Sequence, residues 1–243
     1  MAAPHDGSAD GYLSAQLRSA RRGSSYSRET YASKAWGTFG QCLPDDRATR
    51  ILDIGPGECE FAELLIRCEH YTNVQVLDRS EEVVELATRL GIRATHATDT
   101  IEALTSMAGQ LDVVVLLHVL EHVPKSETIS LLIALRTALA PGGRLLLEVP
   151  NMGDPLNGLY FRYSDFTHEV GFTEESLNYV LRQAGFEEIR YLERSGKFGR
   201  YPLRFAQRAA QAVLHAMLLV VNLPNGRQMR RRIGPVLSVC ATT

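Results

Sequence analysis

Five short apolar runs rich in branched residues, with helical periodicity between them, set the limits on what this chain can fold into. They are RILDIG (50–55), NVQVLD (73–78), GIRATHA (91–97), LDVVVLLHV (111–119) and GRLLLEVP (143–150). Runs of this length suit strands buried on both faces. Phe61, Leu64, Leu65 and Cys68, and again Val83, Leu86, Ala87 and Leu90, recur at i, i+3, i+4, i+7, so each intervening segment has one face to bury on a sheet. Leu132, Leu135 and Leu139 mark another helix, ended by APGG, and Thr173 has the character of an N-cap before Leu177, Val180, Leu181 and Ala184. Such alternation implies right-handed crossovers and an α/β fold with a doubly wound, mostly parallel sheet. Two further runs, 186–194 and 235–243, bring the expected strands to seven, with a helical insertion before the last.

Ligands of such sheets bind at the carboxyl ends of the strands, where the winding reverses. The first run ends there in the turn Gly55-Pro56-Gly57. Glycine lets the backbone turn tightly and approach a ligand, and the helix beyond offers unpaired N–H groups. Asp53, Asp78 and Asp99 place acids at the ends of the first three runs. A dinucleotide fingerprint wants a small residue where this chain has Glu60, a poor neighbour for a pyrophosphate, which disfavours an NAD-dependent oxidoreductase. Strand-end acids suit a ligand with a ribose and a positive centre.

In order and spacing, LDIGPGECEFAELL, VQVLDRS, ATDTIEAL, LDVVVLLHVLEHVP and LRTALAPGGRLLLEVPN resemble the motifs of class I S-adenosylmethionine-dependent methyltransferases, over about residues 46–194. The resemblance implies a Rossmann-like, seven-stranded sheet and S-adenosylmethionine as cofactor. It implies Asp53, Gly55 and Gly57 at the methionine end, Asp78 and Arg79 at the ribose, Asp99 with Thr98 and Thr100 at the adenine, and His118 near the sulfonium. Cys59 stands where many members carry a third glycine.

Methyl transfer to a hydroxyl needs a group to take the proton, and histidine is the natural candidate. The segment 150–172 leaves the fifth run at the mouth of the expected pocket and crowds Tyr160, Arg162, Tyr163, Asp165 and His168 into nine positions. His168 is expected as the base, oriented by Asp165, with His122 as second candidate and Tyr160, Arg162 and Tyr163 as acceptor contacts. The bland alternative is an Asp165–His168 pair that pins the loop. The DFTH...FT pattern resembles methyltransferases encoded with glycan and lipopolysaccharide assembly enzymes, which implies O-methylation of a sugar or glycan-related hydroxyl. Rival readings are a quinone, a phenol or another small natural product as acceptor, or a catalytically silent partner protein. His118, Glu121 and His122 have i, i+3, i+4 spacing that can bind a metal, and similar positions in quinone O-methyltransferases carry a Glu, Glu, His set. LEHVP is common in the wider family without a metal, and none is expected.

The chain then divides into a helical lid (1–45), with patterns at Leu13–Arg22 and Glu29–Phe39, a cofactor-binding core (46–195) that includes the acceptor loop, a basic amphipathic insertion (196–233) and a last strand (234–243). Within the lid, Tyr26, Tyr31 and Trp36 are candidates to face the cofactor. Basic and acidic side chains, 26 against 28, nearly cancel and give no case for nucleic-acid binding. Between Arg190 and Arg232, however, ten Lys or Arg face the single acid Glu193. Leu203, Ala206, Ala210, Val213, Leu214, Met217 and Val221 line one side of a helical pattern opposite Arg204, Arg208, Gln211 and His215. Such a segment, 202–232, rests on anionic lipid or docks on its own domain or a second subunit. Four scattered cysteines without CxxC spacing argue against a zinc or disulfide framework. With no secretory pattern and no apolar stretch long enough to span a bilayer, a cytoplasmic location, at most peripheral to a membrane, is expected. Nothing signals an oligomeric state.

Overall fold

The structure is a computed structural model that describes residues 28–155, 157–193 and 234–243, with isolated helical positions between 209 and 220. Seven strands form one sheet: β1 (Ile51–Ile54), β2 (Val74–Asp78), β3 (Arg93–His96), β4 (Leu111–Leu117), β5 (Leu139–Pro150), β6 (Glu188–Leu192) and β7 (Val236–Thr242). Their order is β3-β2-β1-β4-β5-β7-β6. The first five run parallel, and β7 lies antiparallel to both β5 and β6. The winding reverses between β1 and β4, so a crevice opens at their carboxyl ends. This is the Rossmann-like, mostly parallel arrangement expected.

Alternation along the strands separates two apolar layers. Leu52, Ile54, Leu116 and Leu147 face α4 (Thr100–Thr105), α5 (Thr128–Ala138) and α7 (Glu174–Gln183), which supply Leu104, Leu132, Leu135, Leu177 and Leu181. Ile51, Val76, Val115 and Leu146 face α1 (Arg28–Phe39), α2 (Glu60–Arg67) and α3 (Glu81–Arg89), which supply Phe39, Phe61, Leu65 and Val83. Fully burying one such side chain stabilises the fold by about 1.5–3 kcal/mol. Local signals place the helix starts. Glu60 and Glu63 sit in the first turn of α2, and Thr173 and Ser176 form a reciprocal capping box at α7.

Three features differ most from expectation. β5 starts at Leu139 rather than Gly143: Leu139 pairs with Leu111, then the register slips so that Val113 meets Arg144, and the APGG segment is absorbed in that irregularity with Gly142 at φ 75°. β3 is shorter than 91–97 because it is an edge strand with little to bury. The segment 150–172 contains a short helix, α6 (Gly158–Ser164).

Of the expected lid, α1 and the 3-10 turn Gly40–Cys42 pack on α2 through Ala35, Phe39 and Cys42. Trp36 packs against Gly40, whereas Tyr31 reaches the crevice. The pattern Leu13–Arg22 and Tyr26 lie outside the described residues. So does the basic insertion, apart from helical positions at which Val213, Met217 and Val220 are exposed. Among the described residues no helix is long and apolar enough to cross a membrane.

Candidate active site

A cleft of about 1080 Å³ occupies the switch point. One end is built by the turn after β1. Gly55 has φ +63° and donates its N–H to Leu77 O at 2.9 Å, and a Cβ there would lie 2.6 Å from Val119 Cγ2. Gly57 also has positive φ, with open space where a side chain would be. Cys59, at the position of the missing third glycine, adopts the same left-handed conformation (φ +62°) while its side chain is fully buried.

Asp78, Arg79 and Thr100 join Gly55 and Gly57 in the wall. Asp78 accepts from Ser80 N at 2.7 Å, yet burial holds its carboxyl above the usual range. Asp53 lies beneath the turn rather than in the wall and is 3% exposed. Burial first, then the charges of Glu60 and Asp78, push its carboxyl up to about 8. Thr98 and Asp99 are exposed and outside the wall, because Asp99 Oδ1 caps α4 through Ile101 N (2.9 Å) and Glu102 N (3.0 Å).

His118, at the end of β4, also sits at positive φ (+57°). Its Nδ1 lies 3.3 Å from Glu121 Oε1 and its Nε2 3.1 Å from Glu148 Oε1. Both nitrogens therefore face carboxylates. Burial disfavours the charged ring, but hydrogen bonds to Glu121 and Glu148 outweigh it and push His118 up to about 10. Ser238 Oγ donates to Glu148 Oε2 at 2.5 Å, whereas the buried Oε2 of Glu121 has no hydrogen-bond partner among the described residues. Both ring nitrogens of His118 are thereby engaged by carboxyl groups, which takes it out of the His118, Glu121, His122 spacing, for which no metal was expected.

The opposite part of the wall comes from α6 and the residues after it. Glu169 N and Val170 N donate to Glu121 O at 2.8 and 3.0 Å, which fastens this segment to the end of β4. His168 Nδ1 meets Phe161 O at 2.8 Å, so this nitrogen donates and the lone pair resides on Nε2. His122 Nδ1 lies 2.9 Å from Thr167 Oγ1 and 3.2 Å from Thr167 O. The carbonyl only accepts, and Thr167 Oγ1 already donates to Asp165 Oδ1 at 2.6 Å, so His122 too donates from Nδ1. Burial, then the neighbouring His168, holds His122 below its ordinary value. The two rings are 4.9 Å apart between centroids.

This corrects the expected roles. Asp165 orients His122 through Thr167, not His168. Burial alone would raise the Asp165 carboxyl, but the hydroxyl and amide of Thr167 hold it low. Arg162 donates to His168 O and to Glu169 O and braces the loop. Tyr160 and Tyr163 lie outside the wall at 68% and 77% exposure, whereas the fully exposed Phe166 lines the cleft. Sequence reasoning missed Glu148, Ser238 and Thr167. Glu148 alone left a signal, a charge inside the apolar run RLLLEVP.

A family model described as a methyltransferase domain matches residues 27–191, more than half of the chain, and the chain belongs to that family. Over 107 residues it is 33% identical to a ubiquinone biosynthesis O-methyltransferase of Marinobacter nauticus, a match spanning 42% of this chain and 44% of that protein. Its counterpart from Xanthomonas axonopodis pv. citri is 32% identical over 108 residues, 42% of this chain and 43% of that protein. The chain thus matches less than half the length of these curated relatives. Among solved structures, a SAM-dependent methyltransferase from Archaeoglobus fulgidus has TM-score 0.67 at 22% identity, covering 94% of this chain and 99% of that one. A Haemonchus contortus phosphoethanolamine N-methyltransferase 2 in complex with S-adenosyl-L-methionine has TM-score 0.61 at 16% identity, over 93% of this chain and 60% of that one.

Proposed function

We propose that the chain transfers the methyl group of S-adenosylmethionine to a hydroxyl oxygen, on an aromatic acceptor of the phenol or quinone-precursor kind. The observation that carries this reading is the pair His122 and His168. Both are tethered through Nδ1, both carry a lone pair on Nε2, and both share a cleft with the glycine turn. The acceptor oxygen attacks the methyl carbon in line, the C–S bond breaks, and the sulfonium becomes a neutral thioether. The hydroxyl proton passes to an imidazole Nε2, with His168 the first candidate and His122 the second. The relatives' names support the aromatic acceptor over the sugar or glycan hydroxyl, as do the rings of Phe161 and Phe166 in the cleft lining.

An acceptor panel with isotopically labelled methyl donor and a product-mass readout tests this. Phenolic diols are expected to gain one methyl on oxygen, and the double variant His122→Ala, His168→Ala to lose about 10²- to 10⁴-fold in kcat. Methylation of amines or carboxylates alone, or a double variant at the wild-type rate, contradicts the assignment.

Asp53 makes a separate prediction. Its folded pKa is raised, so between about pH 4 and 8 the folded chain keeps a proton that the unfolded chain has lost, and stability falls as pH rises across that window. A cationic cofactor above it favours the ionised form. Calorimetric titrations at pH 7 in buffers of different ionisation enthalpy are expected to show proton release on binding, reduced in Asp53→Asn. Proton uptake would contradict this.

A further inference from the structure

Cys42, near the start of the described chain, and Cys240, near its end, meet on one face of the sheet. Cys42 closes the 3-10 turn that follows α1, Cys240 lies in β7, and both belong to the buried layer on the α1 side. Neither lines the cleft. Their surroundings are cationic. Arg190, the partner of Cys240 in the β6–β7 register, donates from Nη2 to the Cys42 sulfur at 3.0 Å, and Arg144 of β5 donates from Nη1 to the Cys42 carbonyl at 2.5 Å. We propose that Cys42 and Cys240 are a redox modification site, a dithiol that hydrogen peroxide converts to a disulfide.

A guanidinium against a sulfur favours the thiolate, the form of cysteine that reacts with oxidants. Hydrogen bonding from the Cys240 thiol, opposed by burial and joined by Arg190 and by the charge of Arg144, pulls the Cys42 thiol down to about 6. The same contact, and then burial, pushes Cys240 up. The pair thus divides into a nucleophile and a second thiol placed to resolve its first oxidation product. Burial sets which oxidant can enter. Cys42 has no exposed surface and Cys240 has 8%, which shuts out a bulky disulfide such as oxidised glutathione but not a molecule as small as hydrogen peroxide. Arg190 stands on the edge strand and is itself exposed, so solvent comes within one hydrogen bond of the Cys42 sulfur.

The Cys42 thiolate attacks one oxygen of the peroxide, the O–O bond breaks, and the departing hydroxide takes up the proton that the thiol had released and becomes water. The Cys240 sulfur then attacks the sulfenic acid, its proton joins the departing hydroxyl, and a second water leaves as the S–S bond forms. The two sulfurs give up two electrons, which the peroxide accepts. The bond ties the base of the lid to the last strand. α1 carries Tyr31 into the cleft and β7 brings Val236 to its wall, so the link joins two elements that shape the site. It also closes a very long loop in the unfolded chain, which stabilises the folded one.

The test is hydrogen peroxide treatment of the full chain carrying Cys68→Ser, which removes the exposed thiol and with it cross-links between molecules. After catalase has destroyed the excess, free thiols are alkylated in denaturant and the chain is mapped by mass spectrometry without reduction. Peptides joined through Cys42 and Cys240, and separated by dithiothreitol, are the expected product. A rise in Tm of about 4–16 °C that reductant reverses is expected with them. Arg190→Ala, a change at an exposed position, is expected to slow the cross-link severalfold. Recovery of Cys42 and Cys240 as alkylated thiols, their oxidation to sulfinic or sulfonic acid with no bond between them, or a bond to Cys59 instead overturns the proposal. Cross-linking of the Arg190→Ala chain at the unaltered rate overturns the part given to the guanidinium.

Discussion

Replacing His118 with alanine is expected to destabilise the folded chain by about 3–5 kcal/mol, because it leaves buried carboxylates without their cation. Glu121 is 1% and Glu148 4% exposed, and the His118 ring is the cation between them. For a chain of this size the loss corresponds to a fall in Tm of about 6–20 °C. The pH dependence has a definite sign. His118 has a folded pKa of about 10, above its ordinary 6.5, so its contribution is fully present below about pH 6.5 and is lost as pH rises through 10. Denaturant unfolding of wild type and His118→Ala at several pH values should therefore show a gap that is widest near pH 6 and narrows toward pH 10. A variant as stable as wild type at pH 6 would mean that the two glutamates do not depend on this ring.

Gly55→Val is expected to abolish or strongly weaken cofactor binding while the sheet still forms. At φ +63° a β-branched residue costs about 1–2 kcal/mol in backbone conformation alone. Its Cβ would also meet Val119 Cγ2 at 2.6 Å, and valine, stiff at χ1, has no easy way to withdraw. The turn must therefore move, and with it the N–H groups that follow. Loss of affinity by about tenfold or more, which is about 1.4 kcal/mol, is expected by titration. Gly57→Ala meets only the backbone cost, since the space beside it is open, and is expected to be milder.

Local features are legible in the sequence itself. The run into β1, its glycine turn and the amphipathic α2 are encoded within fifteen residues, so apolar spacing and turn chemistry sufficed to place the cofactor end of the cleft. The beginning of β5 was not legible, because APGG reads as a turn and only pairing with Leu111 draws Leu139 into the sheet. The acceptor side failed for a different reason. Asp165 and His168 looked like partners three positions apart, but Asp165 is captured two positions on by Thr167, whose hydroxyl then turns to His122. Such short-range Asx contacts compete well with longer ones. The pairing of His118 with Glu148 spans thirty positions and exists only because β4 and β5 are parallel neighbours, with His118 N donating to Glu148 O at 2.8 Å. Periodicity marks Glu148 as out of place in an apolar run but does not name its partner.

Everything above depends on the crevice between Gly55 and Asp78 holding S-adenosylmethionine. Calorimetric titration of the purified chain with S-adenosylmethionine, and with its demethylated product, tests this most directly. Saturable one-to-one binding of both, lost in Gly55→Val and reduced in Asp78→Ala, is the predicted result. A folded wild-type chain that gives no binding heat and no rise in Tm with either compound would contradict it.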